Sequence, residues 1–222
     1  MHRSLLVLAL TTGLLGGPVA ARAGDSPLAA GVDLGTPGVG AELQLQLSNG
    51  LTLRGDADWL SFSHNTTPSN IHYSGRLKST TVGAFVDWHP LGSPLLVTGG
   101  AYFGPRRLTL TATPTSNVSI GGANLTPAQL GTLSGDAKFS GVEPFVGLGW
   151  DNTFTGRSWG FRALAGVAYS ASPKVTLTST GGTLSSNPAL APTLLNEQNA
   201  IQQSVRNWRY FPVLQIGVTH RF

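Results

Sequence analysis

Residues 40–59 read GAELQLQLSNGLTLRGDADW, two alternating runs divided by Asn49-Gly50. Side chains alternate across a β-strand, so a period of two sorts them onto two faces. Leu43, Leu45, Leu47, Leu51 and Leu53 share one face, and Glu42, Gln44, Gln46, Arg54, Asp56 and Asp58 share the other. Asn-Gly suits a type I′ turn, which needs positive φ at both central residues, so the stretch predicts a β-hairpin. A soluble sheet would pack the leucines on a core. A barrel in a membrane would turn them to lipid and the charges inward.

The surroundings of this hairpin favour lipid. The chain opens with Arg3, an apolar run from Leu5 to Leu15, and Ala21-Arg22-Ala23. This is the pattern of a secretory signal over 1–23, cleaved after Ala23, and it leaves 24–222 as one domain. A membrane anchor is the other reading, but spanning takes about 20 apolar residues. Charged residues make up only 11% of the chain and Gly numbers 29, against a usual charged share of about a quarter. Sparse charge with no later apolar run of helical length fits a surface that faces lipid over a broad belt. Without Arg3 and Arg22 the net charge falls from +4 to +2, 12 basic residues against 10 acidic. That gives no reason to expect nucleic acid. Cysteine is absent, which removes disulfides and thiolate chemistry.

The alternation recurs along the chain. Eight strands are expected near 28–36, 38–48, 51–63, 76–89, 95–110, 136–151, 158–171 and 208–222. The first has the weakest signal, with Thr36-Pro37-Gly38 as its turn; a closed bacterial barrel needs an even number of strands. Short connections (Asn49-Gly50, 89–94, 152–157) alternate with long ones (64–75, 111–135, 172–207), the asymmetry of short periplasmic turns and long external loops. The last long loop should hold a short helix, with Asn187 as cap and Leu190, Leu194, Ile201 and Val205 at helical spacing. That helix could plug the mouth, meet a partner or pack on the rim, the last being the simplest. The expected fold is all-β: a transmembrane antiparallel up-and-down barrel of eight strands.

Parity then assigns roles. Trp59, Trp88, Trp150, Trp159 and Trp208, with Tyr210, share the apolar parity at strand ends, where barrels keep aromatic girdles; ordinary core tryptophans of a sandwich are the alternative. A polar lumen network is expected from Glu42, Arg54, Asp56, Asp58, Asp87, Glu143, Arg162, Arg209 and Arg221, with Gly83, Gly100, Gly147 and Gly166 making room among them. Mixed charges can pair there, where a lone ion would be costly. Arg106 and Arg107, at the outer end of a strand, are candidates for lipopolysaccharide phosphates, or are two solvated loop cations.

No reaction centre stands out. His64 and His72 flank one loop without the spacing of a metal motif. Asp87 and His89 share a face and could hydrogen-bond, but neither nucleophile nor oxyanion donors can be located. No catalytic residue, metal or cofactor is expected.

The chain ends VLQIGVTHRF, with Leu214, Ile216 and Val218 alternating toward a terminal Phe222. This ending resembles the assembly signal of bacterial outer-membrane β-barrels, although His220 departs from the usual aromatic or aliphatic choice. Asp87–Gly92, Thr111–Pro114, Thr126–Gly135 and Ser172–Val175 resemble a family of small, uncharacterised proteobacterial outer-membrane proteins, with an eight-stranded architecture like that of OmpA, OmpX and OmpW. The resemblance implies export through the periplasm, insertion by the barrel assembly machinery, and residence in the outer membrane of a Gram-negative bacterium among lipid and lipopolysaccharide. It brings no activity or site. An eight-stranded interior is just wide enough for side chains to fill. The expected function is therefore a structural or surface-interaction role through external loops. A narrow or gated channel, and then a lipid-modifying enzyme, are the alternatives.

Overall fold

A computed structural model describes residues 26–66 and 71–222. The expected signal segment 1–23 and the middle of the loop 64–75 lie outside the described residues. The strands are β1 (Leu28–Gly35), β2 (Val39–Ser48), β3 (Leu51–Thr66), β4 (Ile71–Trp88), β5 (Leu95–Phe103), β6 (Arg106–Pro114), β7 (Val118–Ile120), β8 (Ala123–Leu125), β9 (Gly131–Phe139), β10 (Val142–Asp151), β11 (Trp159–Tyr169), β12 (Lys174–Gly181) and β13 (Tyr210–Arg221). Two α-helices accompany them, α1 (Pro127–Leu130) and α2 (Ala191–Val205).

Antiparallel pairings run β1–β2–β3–β4–β5–β10–β11–β13 and return to β1, a ring of eight. The doubtful first strand forms, paired with both β2 and β13. The proximal end of the ring carries Leu28, Phe222 and three short turns. The distal end carries the long connections.

The hairpin of residues 40–59 forms, but not with the expected turn. Neither Asn49 nor Gly50 has positive φ. The register instead shifts between Gln46 and Ser48, so that Ser48 faces Leu51. A bulge supplies the local twist that a type I′ turn would have given.

Two expected strands are each divided. The run 95–110 breaks at Gly104-Pro105 into β5 and β6, and 136–151 breaks at Ser140-Gly141 into β9 and β10. Gly104 and Gly141 have φ of 135° and 126°, open to glycine and strained for other residues. The breaks lie side by side, since Phe103 faces Val142 and Arg106 faces Phe139. Across this seam β4 changes partner, pairing with β5 over Val82–Trp88 and with β6 over Ile71–Ser79. Beyond it the wall continues as a distal sheet of β3, β4, β6, β9 and β12.

The helix in the last loop also forms. Asn187 Oδ1 accepts from Ala189 N at 2.9 Å, opening a short 3-10 turn that leads into α2. The helix packs on the rim: Gln202 and Gln198 accept from the backbone N–H groups of Val175 (2.9 Å) and Leu177 (3.2 Å) on β12. β12 ends the order of the sheet, and such an edge invites pairing with other chains unless covered.

Candidate functional site

Every large apolar side chain placed outward by parity on β2 and β10 is exposed, from Leu45 at 37% to Leu43 at 67%. The six aromatics Trp59, Trp88, Trp150, Trp159, Trp208 and Tyr210 are exposed too. Trp88, Trp150 and Trp159 stand at the proximal end, opposite Leu51, Leu95 and His220. Trp59, Trp208 and Tyr210 stand at the distal end. His220 fills its outward place as an aromatic, edge-on to Trp159 at 4.8 Å and to Phe222 at 5.7 Å. Leu214, Ile216, Val218 and Phe222 form the exposed row of β13.

Among the described residues, seven buried acids and four buried arginines lie inside the ring. Arg54 on β3 donates to Asp87 (2.8 Å), Asp56 (2.9 Å) and Thr98 (3.4 Å), and its guanidinium lies 4.1 Å above the Phe85 ring. Arg162 on β11 bonds Glu42 and lies 3.8 Å from Asp33. Gln44 Nε2 joins Glu42 to Asp151, 3.0 Å from each. Gln215 Nε2 lies between Asp33 (3.2 Å) and Asp58 (3.3 Å). Arg221 closes the proximal end, donating to the Phe154 carbonyl at 3.5 Å. These contacts join strands that are far apart in sequence, and a charge buried among partners escapes much of the penalty of isolation.

Eight of the nine expected lumen residues are thus buried together. Arg209 is the exception. β13 begins after it, and Arg209 stands exposed on the distal rim, donating to Tyr169 Oη (3.0 Å) and Ser172 Oγ (3.1 Å). Arg106 is the other correction. It is buried, 2.9 Å from Glu143 and 4.0 Å above the Phe211 ring. Only Arg107 is exposed, because consecutive residues of a strand face opposite sides. Asp87 and His89 do not meet: Asp87 is held by Arg54, and His89 Nδ1 lies 3.2 Å from the Ser93 carbonyl oxygen. Among the described residues no group of three metal-ligating side chains converges.

The lumen is less polar than the alternation of the strands implies. Phe85, Tyr102 and Phe145 pack edge-to-face, with centroids 4.9–5.5 Å apart, alongside Leu96, Leu164, Ala168 and Val213. The signal was the inward glycines. A Cβ at Gly166 would fall 2.6 Å from the Phe145 ring and one at Gly147 2.8 Å from it. Such glycines mark where an aromatic ring needs the space, not where the lumen is empty.

Two cavities approach this plug. One of about 640 Å³ lies at the proximal end beside Thr52, His89 and Asp151. Another of about 390 Å³ lies at the distal end, between Leu77, Arg106 and Leu108 of the distal sheet and Trp208–Phe211.

No family model matches the chain, and no curated protein matches it in sequence. The fold is similar to the crystal structures of CarO and CarO2 from Acinetobacter baumannii. These are 20% and 21% identical, with TM-scores of 0.62 and 0.61. The matches cover 88% and 89% of this chain and 98% and 99% of those chains. At this identity the likeness is one of fold, an antiparallel up-and-down ring of eight strands with a short helix.

Proposed function

We propose that the chain is an integral protein of a Gram-negative outer membrane, reached through the periplasm after signal cleavage near Ala23. Its plugged ring holds the distal sheet and α2 at the cell surface, in a structural or surface-interaction role. The exposed apolar belt between two aromatic rows supports residence in a bilayer, since barrels carry such a belt flanked by such girdles. Leu214, Ile216, Val218 and Phe222 would present the chain to the barrel assembly machinery. Arg107 remains a contact for lipopolysaccharide, and Arg106 does not. No enzymatic activity is proposed.

The observation that carries this reading is the filled interior. Arg54, Arg162, Phe85, Tyr102 and Phe145 are between 0 and 4% exposed, and all five lie inside the ring. A second reading, a gated channel, draws support from the cavity at each end of the ring. Conductance of the refolded mature chain in a planar bilayer separates them. The folded form would first be established by its heat-modifiable gel mobility. Silence is the expected result. Steady, reproducible openings would replace the plugged reading with the channel.

A further inference from the structure

The outward face of the distal sheet carries a row of cations that no sequence window reveals. Lys78 on β4 faces Arg107 on β6, Arg107 faces Lys138 on β9, and Lys138 faces Lys174 on β12. All four are exposed, and none joins an ion pair among the described residues. Like charges directly opposite one another across strands repel and destabilise a sheet. Four in succession therefore point to an anionic partner that screens them. One row further out are Arg76 and a single acid, Asp136, which accepts from Thr109 at 2.7 Å.

The placement of charge in the whole molecule says the same. Outside the lumen, the described residues include eight basic side chains and two acids, Asp136 and Glu197. Arg157 is the one base at the proximal end. Arg206 and Arg209 sit on the distal rim, and the other five are on the outward face of the distal sheet. The acids have gone into the lumen, and the cations have gone to one end of the outside.

Height narrows the partner. Four residues below Lys78 lies Val82, in an exposed apolar row with Phe103 and Val142. At about 3.3 Å per residue and a strand tilt near 40°, the cations stand roughly 10 Å above that row. That is the polar layer of a bilayer, and long Lys and Arg stems can bend back toward it.

We infer that Lys78, Arg107, Lys138 and Lys174 form a binding site for the phosphates of an outer-leaflet lipid, a glycolipid carrying two or more phosphate groups. The row clamps such lipids against the wall and ties the distal sheet to the membrane surface. It deepens the outer-membrane reading and rests on it.

The test is the heat-modifiable unfolding midpoint of the mature chain. It would be measured in phosphatidylcholine vesicles with and without added lipid A. K78Q/R107Q/K138Q/K174Q is compared with wild type; all four positions are exposed, so the variant should fold. Lipid A should raise the wild-type midpoint and leave the variant's unchanged. Retention of lipid A through gel filtration should fall roughly fivefold for each charge removed. R157Q, at the other end, should behave as wild type. Equal stabilisation of wild type and quadruple variant would overturn the site. So would an equal response to dephosphorylated lipid A, or to inorganic phosphate alone. A chain that never inserts into phosphatidylcholine vesicles would instead refute the membrane reading itself.

Discussion

Arg54 shows how the ring tolerates charge. Its guanidinium holds Asp56 and Asp87 at once, over the face of Phe85. Removing it strands two buried carboxylates, and breaking a buried pair typically costs about 3–5 kcal/mol. Arg54→Leu should therefore lower the urea midpoint of the vesicle-bound protein sharply. Asp58 is the converse case. It shares one amide of Gln215 with Asp33, and its Oδ2 has no hydrogen-bond partner among the described residues. Asp58→Asn keeps the shape and removes a like charge, so stability should stay level or rise. A loss as large as that of Arg54→Leu would show that the Asp58 charge is itself paired. These charged places were legible in the sequence because they alternate with outward apolar residues, as Asp87 sits between Val86 and Trp88. Phe85 was not, because an inward aromatic in a barrel strand reads locally like any apolar residue out of phase.

At the scale of elements, the edge of β12 depends on α2. Gln198 and Gln202 satisfy two backbone N–H groups that would otherwise be free for another strand. Gln198→Ala with Gln202→Ala should speed amide exchange at Val175 and Leu177 by about fivefold, the loss of one typical hydrogen bond each, and leave exchange in β1, β2 and β13 unchanged. Protection unaltered at β12 would mean that the helix only lies near the edge. The ring strands were readable because alternation is a local property. The seam was not: Gly104-Pro105 and Gly141 look like ordinary punctuation until β6 and β9 are placed side by side. β12 was hidden inside a polar loop, since its eight residues bury only Val175 and Leu177. The cationic row was hidden for the same reason as the seam, because register is set by pairing and not by any one strand.

At the scale of the whole molecule, the interior is a series of two seals, an aromatic one and a charged one. Phe85→Ala with Phe145→Ala would remove the rings that the inward glycines accommodate. Each truncation costs about 3–5 kcal/mol in a packed core, so folding must be checked first by gel mobility. If the aromatic block is the main seal, the folded double variant should conduct, joining the cavities at the two ends. Its lumen would hold seven acids against four arginines, and acidic linings favour cations. The reversal potential in a salt gradient should then show cation selectivity, reduced by adding Asp58→Asn. Conductance without selectivity would place the current path away from the acids. Silence from a folded double variant would place the seal in the charged network, where Arg54 ties β3 to β4 and β5 and Arg162 ties β11 to β1 and β2. In that case Arg54→Gln on the same background should open the path, because the salt bridges alone would have been closing it.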